Sequence, residues 1–247
     1  MTVPMVETTI NGRWTLKLPE HRAARPVWPW WEATRLACMH HYLGQGGHVV
    51  WDVGAEEGDF PALWASWGNR VAMWEPNDRV WPNIKAIWEA NDLPEPELCF
   101  AGFAAATACT EGLRFTPGWP ESADGPVIGD HGFANLCERP DIPRVRLDDV
   151  QRLAAKRGRG IAAPTAISID VEGAELEVLL GAHETLMRHR PLVWVSVHPE
   201  FMQRMYHRAP EELHRYMADC GYERTYLGSD HEEHHWYWPK ERELFVQ

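Results

Sequence analysis

The sequence predicts one α/β domain in which helices cover both faces of a mostly parallel sheet. Its 247 residues suit a single large domain, and a hydrophobic content of 45% supplies a sizeable core. Short apolar runs alternate with segments of helical period over residues 48–100 and again over residues 144–200. Strands that alternate with helices form right-handed βαβ units, and such units produce a parallel sheet.

The N-terminal part is predicted to be an arm followed by a helix. Residues 1–30 are assigned to this arm, which we expect to be irregular, and residues 31–247 to one domain. In the stretch "WPWWEATRLACMHHYL", apolar residues recur on one face of a helix, which runs out of the arm into the domain. A cluster of glycines after this stretch is expected to end the helix.

Two strand–helix units come next. The predicted strands are "HVVWDV" and "VAMWEP", and the helices that follow them are "GDFPALWASWGNR" and "NDRVWPNIKAIWEAN". Pro61 is tolerated there because the first turn of a helix does not need its N–H group. A third strand is predicted in "ELCFAGF".

The alternation of strands and helices stops over residues 110–143, a Gly- and Pro-rich insertion that we expect near the substrate site. It resumes with a helix in "RVRLDDVQRLAAKRG", which Asp148 is expected to cap. The segment "TAISIDVEGAELEVLLGAHETLMRH" is predicted to be a strand that runs into one helix, and "PLVWVSVHPE" a fifth strand. A helix in "APEELHRYMADCG" and two strands in "YERTYLGSDHEEHHWYW" complete the domain.

Composition argues against several classes of partner. The formal net charge is −12, whereas affinity for nucleic acid comes from clustered Lys and Arg. The N-terminus lacks the basic and apolar segments of a signal peptide, and no apolar run reaches the roughly 20 residues of a membrane span. Five cysteines without a CxxC pair indicate free thiols in a reducing compartment. We therefore expect a cytoplasmic protein that binds neither nucleic acid nor membranes.

The stretch "VVWDVGAEEGDF" predicts a nucleotide-binding turn. Asp52 ends a strand, and Gly54 and Gly58 let the backbone turn tightly and approach a ligand. Glu75 follows Asp52 by 23 positions (75 − 52) and ends the next strand. An acidic residue at that place meets a ribose diol in nucleotide-binding α/β folds.

Two carboxylates in this loop, Glu56 and Glu57, argue against a pyrophosphate. The loop also lacks the middle glycine of the dinucleotide fingerprint GxGxxG. Two like charges about 4 Å apart cost about 4 kcal/mol at an effective dielectric constant of 20. S-adenosylmethionine fits the loop because it carries a sulfonium and an ammonium group and no phosphate. Alternatively, both carboxylates are simply solvated.

Four segments, "VVWDVGAEEGDF", "VAMWEPND", "VRLDDV" and "ISIDVEGAELEVLLGA", occur in this order. Together they resemble the FkbM-type family of S-adenosylmethionine-dependent methyltransferases. The resemblance implies a class I methyltransferase (Rossmann-like) fold with a seven-stranded, mostly parallel sheet. It also implies methylation of hydroxyl groups on glycans or small secondary metabolites. The sequence departs from the family at Glu56, where Asn is common, and at Ser196, where a Glu often stands.

The candidate site residues cluster after the carboxyl ends of the strands, where ligands bind if the strand order reverses. Donor binding is assigned to Asp52, Gly54, Ala55, Glu57, Gly58, Glu75, Pro76, Asn77, Phe103 and Asp170. Asp170, Glu172 and His198 are candidate bases for the acceptor hydroxyl. They have structural alternatives, since either acid could serve the next helix as a cap or dipole partner and the histidine could make ordinary hydrogen bonds. We favour a base over a divalent metal held by Asp170, Glu172, His198 and Glu200.

The remaining side chains are interpreted as follows. The run "HEEHHW", with His231, His234 and His235, is taken as a solvated turn rather than a metal site. Trp119 and Phe133 are candidate stacking residues for the acceptor. Two other functions stay open, namely an N-methyltransferase on another acceptor and a donor-binding module without turnover.

Overall fold

The computed structural model describes residues 4–108, 118–122 and 141–241. The strands are β1 (Met5–Ile10), β2 (Trp14–Pro19), β3 (Val49–Val53), β4 (Arg70–Trp74), β5 (Leu98–Phe100), β6 (Phe103–Ala104), β7 (Arg144–Val145), β8 (Ala166–Ile169), β9 (Leu192–Val197), β10 (Tyr222–Ser229) and β11 (Glu233–Pro239). The helices are α1 (Glu20–Ala23), α2 (Ala33–Leu43), α3 (Asp59–Ser66), α4 (Trp81–Ala90), α5 (Leu147–Ala155), α6 (Glu175–Leu180), α7 (His183–His189), α8 (Pro199–Tyr206) and α9 (Pro210–Asp219).

The central sheet has seven strands in the order β10-β11-β9-β8-β3-β4-β5. Strands β9, β8, β3, β4 and β5 pair in parallel, and β11 runs antiparallel to both of its neighbours. The predicted seven-stranded, mostly parallel Rossmann-like sheet is therefore confirmed. The chain moves outward from β3 to β5 and then returns to β8 on the other side of β3. This reversal opens a crevice beyond the carboxyl ends of β3 and β8.

Helices cover both faces because the buried strands are apolar on both sides. In β3, Val49, Trp51 and Val53 belong to one hydrophobic core, and Val50 belongs to the core on the opposite face. Successive side chains of a strand point to opposite faces, so one short apolar run serves both layers. Helices α2, α3 and α4 cover the Val50 face, while α5, α6, α7 and α9 cover the other.

The N-terminal segment is not the irregular arm that we expected. β1 and β2 form an antiparallel hairpin around Asn11 and Gly12, which both have positive φ values, 52° and 64°. An Asn-Gly pair between alternating strands is the strongest short-range signal for a hairpin, so the sequence did contain this information. Ile10, Leu16 and Leu18 are fully or almost fully buried against the domain, and the short helix α1 follows.

Three helical predictions need correction. Asp148 does not cap its own helix; its carboxylate accepts the backbone N–H groups of Glu184 (3.1 Å) and Thr185 (2.8 Å), at the start of α7. The single helix predicted after β8 is divided into α6 and α7 around Gly181, and the backbone of Ala105 packs directly against that glycine. Helix α8 was not predicted from the sequence.

Most of the predicted insertion, including Phe133, lies outside the described residues. Within residues 118–122, the Trp119 ring packs against Trp88 on α4 with centroids 5.7 Å apart, so it supports that helix. The described cysteines, Cys38, Cys99 and Cys220, are free thiols. Among the described helices, none has the length and apolar character needed to cross a membrane.

Candidate active site

A cavity of about 360 Å³ lies in the crevice where the strand order reverses. Its lining comes from the carboxyl ends of β3, β4 and β8, from the chain around β6, and from the start of α2. The predicted donor residues among this lining are Asp52, Gly54, Ala55, Glu75, Pro76, Asn77, Phe103 and Asp170. The structure therefore brings together eight of the ten residues to which donor binding was assigned, although their roles stay predictions.

The glycine-containing loop passes very close to the end of β8. Gly54 has φ +92°, and a Cβ atom there would collide with the backbone carbonyl of Asp170. Only glycine combines this backbone conformation with such an approach. The loop N–H groups of Gly54 and Ala55 bond to the carbonyl of Trp74, at 2.9 and 3.1 Å. These contacts fix the loop at the floor of the cavity, between β4 and β8.

Glu75 lies at the end of β4, with its carboxylate held by backbone amides. Its two oxygens accept the N–H groups of Glu56 (2.9 Å) and Asn77 (2.8 Å). Burial raises the pKa of Glu75 to about 8, although these two hydrogen bonds act in the opposite direction. Each carboxylate oxygen has two lone pairs, so the group retains capacity to accept hydroxyl donors from the cavity.

The loop carboxylates are neutralised by the N-terminal segment. Arg22 of α1, only 3% exposed, donates to both carboxylate oxygens of Glu56 at 3.1 Å and also to Asp59. Glu57 is 1% exposed and lies outside the cavity lining; its Oε2 is 2.5 Å from His21 Nε2 and accepts a hydrogen bond from Asn83 (3.0 Å). Its side chain faces α1 and α4, so the geometry does not support the predicted contact of Glu57 with the donor.

Gly58 is also absent from the cavity lining, so its predicted contact with the donor is not supported by the geometry. It precedes the first turn of α3 with φ +87°, and a Cβ atom there would press on Ile84. Its conformation and its lack of a side chain let α3 start close to α4.

The cavity has a strong excess of acidic groups. Of the described residues that line it, two are arginines, Arg25 and Arg35. Eight are carboxylic acids: Glu32, Asp52, Glu56, Asp59, Glu75, Asp170, Glu172 and Glu232. Burial raises the pKa of Asp52, Asp170 and Glu172 above the ordinary values. The cavity therefore favours a cationic ligand, whose charge would allow these groups to ionise.

Arg35 on α2 is a buried cation that sequence reasoning did not identify. Its guanidinium is 2% exposed and donates to Glu32 (2.7 Å), Ser196 (2.8 Å) and Ser168 (3.2 Å). Asp170 lies 3.5 Å away. Ser196 on β9 thus offers a hydroxyl that accepts from Arg35, while the nearby acid is supplied by Glu32.

The three predicted bases lie together, but only two of them face the cavity. Asp170 and Glu172 line it, and His198 is buried behind them with 3% exposure. Nδ1 of His198 lies 2.7 Å from Glu175, and Nε2 lies 2.7 Å from Glu232, 3.6 Å from Glu172 and 3.8 Å from Asp170. Burial alone would lower the pKa of His198, but these carboxylates raise it to about 11. Because His198 does not line the cavity, Asp170 and Glu172 are better placed as bases.

The run "HEEHHW" is solvated only in part: the His231 side chain is 77% exposed, but other members of the run are buried. Glu232, His234 and His235 are 5%, 6% and 3% exposed, and His231 and Glu232 line the cavity. The β10–β11 hairpin carries them across the end of β9, a placement that depends on sheet topology rather than on local sequence. Glu200, proposed as a metal ligand, is instead an exposed residue in the first turn of α8, outside the cavity lining.

Comparisons with a family model and with solved structures both give FkbM methyltransferases. A family model described as the methyltransferase FkbM domain matches residues 52–224. A solved methyltransferase FkbM from Methylobacillus flagellatus shares 16% identity over 83% of this chain and 52% of its own, with a TM-score of 0.50. This chain thus spans about half the length of that protein, and the likeness is one of fold. Comparison with curated proteins gives no match.

Two further solved structures match this chain at lower similarity. A precorrin-6y methyltransferase from Geobacter metallireducens is 13% identical, with 87% of this chain and 92% of that chain covered and a TM-score of 0.47. A 16S rRNA methyltransferase from T. thermophilus, solved in complex with AdoMet and guanosine, is 12% identical, with 97% and 51% covered and a TM-score of 0.45.

Proposed function

The chain belongs to the FkbM family of methyltransferases, and from this premise we propose that it transfers a methyl group from S-adenosylmethionine to a hydroxyl group. The acceptor class is a glycan or a small secondary metabolite. The observation that carries the proposal is the acidic lining of the cavity, in which eight carboxylic acids accompany two arginines. Arg22 compensates Glu56 and Asp59 from behind the loop, and the other six acids still outnumber Arg25 and Arg35. Such a site stabilises a sulfonium cation and repels a diphosphate.

The donor would lie across the carboxyl ends of β3 and β4. Glu75 is suited to the ribose hydroxyls, because its carboxylate is already oriented by two backbone N–H groups. Asn77 and Phe103 line the adjacent wall, which suits the nucleoside. Asp52 lies deeper, with one carboxylate oxygen that has no hydrogen-bond partner among the described residues and is buried. That oxygen is available to a cationic part of the donor.

Methyl transfer to oxygen needs orientation and removal of one proton. Holding the hydroxyl oxygen close to the methyl carbon can supply about 7 to 11 kcal/mol of the barrier. A correctly placed base typically adds a factor of about 10² to 10⁴. Glu172 suits this role because burial raises its pKa and its side chain is 40% exposed toward the cavity. It also has φ +53°, a costly conformation for a residue with a side chain, which is common at functional sites.

Aromatic side chains support an acceptor with a flat apolar face, such as a sugar ring. Trp31 and Phe60 both line the cavity, with ring centroids 4.4 Å apart. Indole and phenyl faces pack well against C–H groups, while the neighbouring acids accept hydrogen bonds from hydroxyls. Asp170 and Glu172 lie on the β8 side of the same cavity, where a bound hydroxyl would meet them.

The test is mass spectrometry of hydroxylated acceptors, including glycans, after incubation with methyl-labelled donor. We expect one labelled methyl group on a hydroxyl oxygen with the wild type and with Glu211→Gln, an exposed acid on α9. Glu172→Gln should react at least about 100-fold more slowly if it is the base. Label found only on amines would favour an N-methyltransferase, and donor binding without transfer to any acceptor would favour a binding module.

A further inference from the structure

A compact group of ligand-type side chains lies in the wall of the cavity, at the meeting point of β8, β9 and the β10–β11 turn. His198, Asp170 and Glu232 offer one imidazole nitrogen and two carboxylate oxygens that all lie within 4.8 Å of one another. Glu172 is adjacent, with Oε2 3.6 Å from His198 Nε2. Asp170, Glu172 and Glu232 all reach the cavity, so a bound ion could also contact a substrate there.

Two buried polar atoms in this group lack hydrogen bonds. His198 is 3% exposed and Glu232 is 5% exposed. Nε2 of His198 and Oε2 of Glu232 lie 2.7 Å apart as an ion pair, although the angles of this contact are not those of a hydrogen bond. Buried polar atoms are almost always satisfied, and an ion between these two atoms would satisfy both.

The histidine is also oriented as in metal sites. Glu175 is fully buried, and its Oε1 lies 2.7 Å from Nδ1 of His198. The same oxygen accepts the N–H group of Gly173 at 2.9 Å, which fixes the carboxylate in place. A carboxylate that holds one ring nitrogen turns the other nitrogen toward the ion, which takes the place of the proton on that nitrogen, and this arrangement accompanies most histidine ligands.

We infer that His198, Asp170 and Glu232 form a divalent cation site, which binds the acceptor through two neighbouring oxygen atoms. This inference rests on the proposed function, because it names the part of the same cavity that receives the acceptor. From the sequence we favoured a base over a metal held by Asp170, Glu172, His198 and Glu200; in the inferred site Glu232 takes the place of Glu200, and Glu172 serves as the base. An acceptor with vicinal hydroxyls could bind the ion in a bidentate manner, which makes a diol the expected substrate class.

The ligand types favour an ion of the magnesium and manganese class. Carboxylate oxygens dominate the set, and such ions prefer oxygen ligands and retain open positions for water or substrate. Arg35 lies 3.5 Å from Asp170 but is also paired with Glu32, so one guanidinium is shared between two acids. Glu172 and Glu232 add further negative charge, so the group retains a net attraction for a doubly charged cation.

Methyl transfer at such a site needs no reactant besides the donor and the acceptor. The acceptor hydroxyl loses its proton to the Glu172 carboxylate, and its oxygen forms a bond to the methyl carbon. The bond between this carbon and sulfur breaks, and its electron pair stays on sulfur to give S-adenosylhomocysteine. Binding of the acceptor oxygen to a cation lowers the cost of removing that proton.

The experiment is a titration of the purified full chain with Mn²⁺, followed by electron paramagnetic resonance of the free ion. We expect one Mn²⁺ per chain in the wild type and at least about tenfold weaker binding in Glu232→Gln. Glu211→Gln, a matched neutralisation of an exposed acid on α9, should bind as the wild type does. If Glu232→Gln fails to fold, Asp170→Asn, whose side chain is 28% exposed, provides the same comparison.

Calorimetry with S-adenosylhomocysteine on the same samples separates the two proposals. A wild type that binds S-adenosylhomocysteine but no Mn²⁺ at millimolar concentration overturns the cation site and leaves the proposed function intact. Equal Mn²⁺ affinity in the wild type and in both ligand variants also overturns the site. A chain that binds neither ligand refutes both proposals.

Discussion

Replacing Arg22 with Met tests how the acids of the nucleotide-binding loop are neutralised. Methionine has a similar length and fills the buried space, but it has no charge. In the wild type, Arg22 contacts Asp59, donates to Glu56 through two bonds of 3.1 Å, and lies 3.9 Å from Glu57. The substitution removes this guanidinium from three acids at once. Because Asp59 and Glu57 are 3% and 1% exposed, water cannot replace it easily.

The expected loss of stability follows from this burial. Removing one partner of a buried ion pair costs about 3 to 5 kcal/mol, because the other charge is left without compensation. The total stability of a domain is about 5 to 15 kcal/mol, so this loss is a large share of it. Arg70 provides the matched control, since its pair with Glu97 involves a side chain that is 60% exposed. For Arg70→Met we expect at most about 1 kcal/mol.

The assay is equilibrium unfolding in urea, with S-adenosylhomocysteine binding as a second measurement. The double variant Arg22→Met/Asp59→Asn should recover part of the stability lost in Arg22→Met, because it removes the stranded carboxylate. If Arg22→Met and Arg70→Met lose equal stability, the loop acids are not neutralised by α1 and the reasoning is refuted.

Three further substitutions each test one feature of the structure. Asp148→Ala should lower the free energy of unfolding by about 1 kcal/mol, measured in urea, because α7 loses its cap. Gly54→Ala should destabilise the protein far more than Gly12→Ala. Both glycines have positive φ, but only Gly54 faces the Asp170 carbonyl. Thermal unfolding of the two variants measures the difference. Burial raises the folded pKa of Glu75 from 4.5 to about 8, so its ionisation costs the wild type stability as the pH rises through this window. The free energy of unfolding, measured in urea at about pH 5 and about pH 9, should therefore fall less between these pH values in Glu75→Gln than in the wild type.

The central sheet could be predicted because its information is local. Each buried strand is a short apolar run, and each following helix has apolar residues at a 3.6-residue period. The order and the type of these secondary-structure elements can therefore be predicted from the sequence. The reversal between β3 and β8 then places Asp52 and Asp170 on two sides of one crevice. The information for the N-terminal hairpin is equally local, since Asn11 and Gly12 stand between alternating residues, a pattern typical of a tight hairpin turn.

The composition of the cavity could not be predicted, because it depends on contacts between distant segments. Glu232 reaches His198 only through the pairing of β11 with β9, and Arg35 meets Ser196 across 161 residues of sequence. The two loop acids were expected either to face a ligand or to be solvated, but Arg22 approaches them from the N-terminal segment, over a separation of more than 30 residues. No periodicity encodes such pairings; they arise when the layers pack together.

The central claim is that the cavity is built for a cationic sulfonium donor rather than a diphosphate. Isothermal titration calorimetry of the full chain with S-adenosylmethionine, NAD and ATP tests it most directly. We expect the wild type to bind S-adenosylmethionine and Glu75→Gln to bind it more weakly. We expect no detectable heat of binding with NAD or ATP. Tight binding of NAD or ATP together with no binding of S-adenosylmethionine would contradict it.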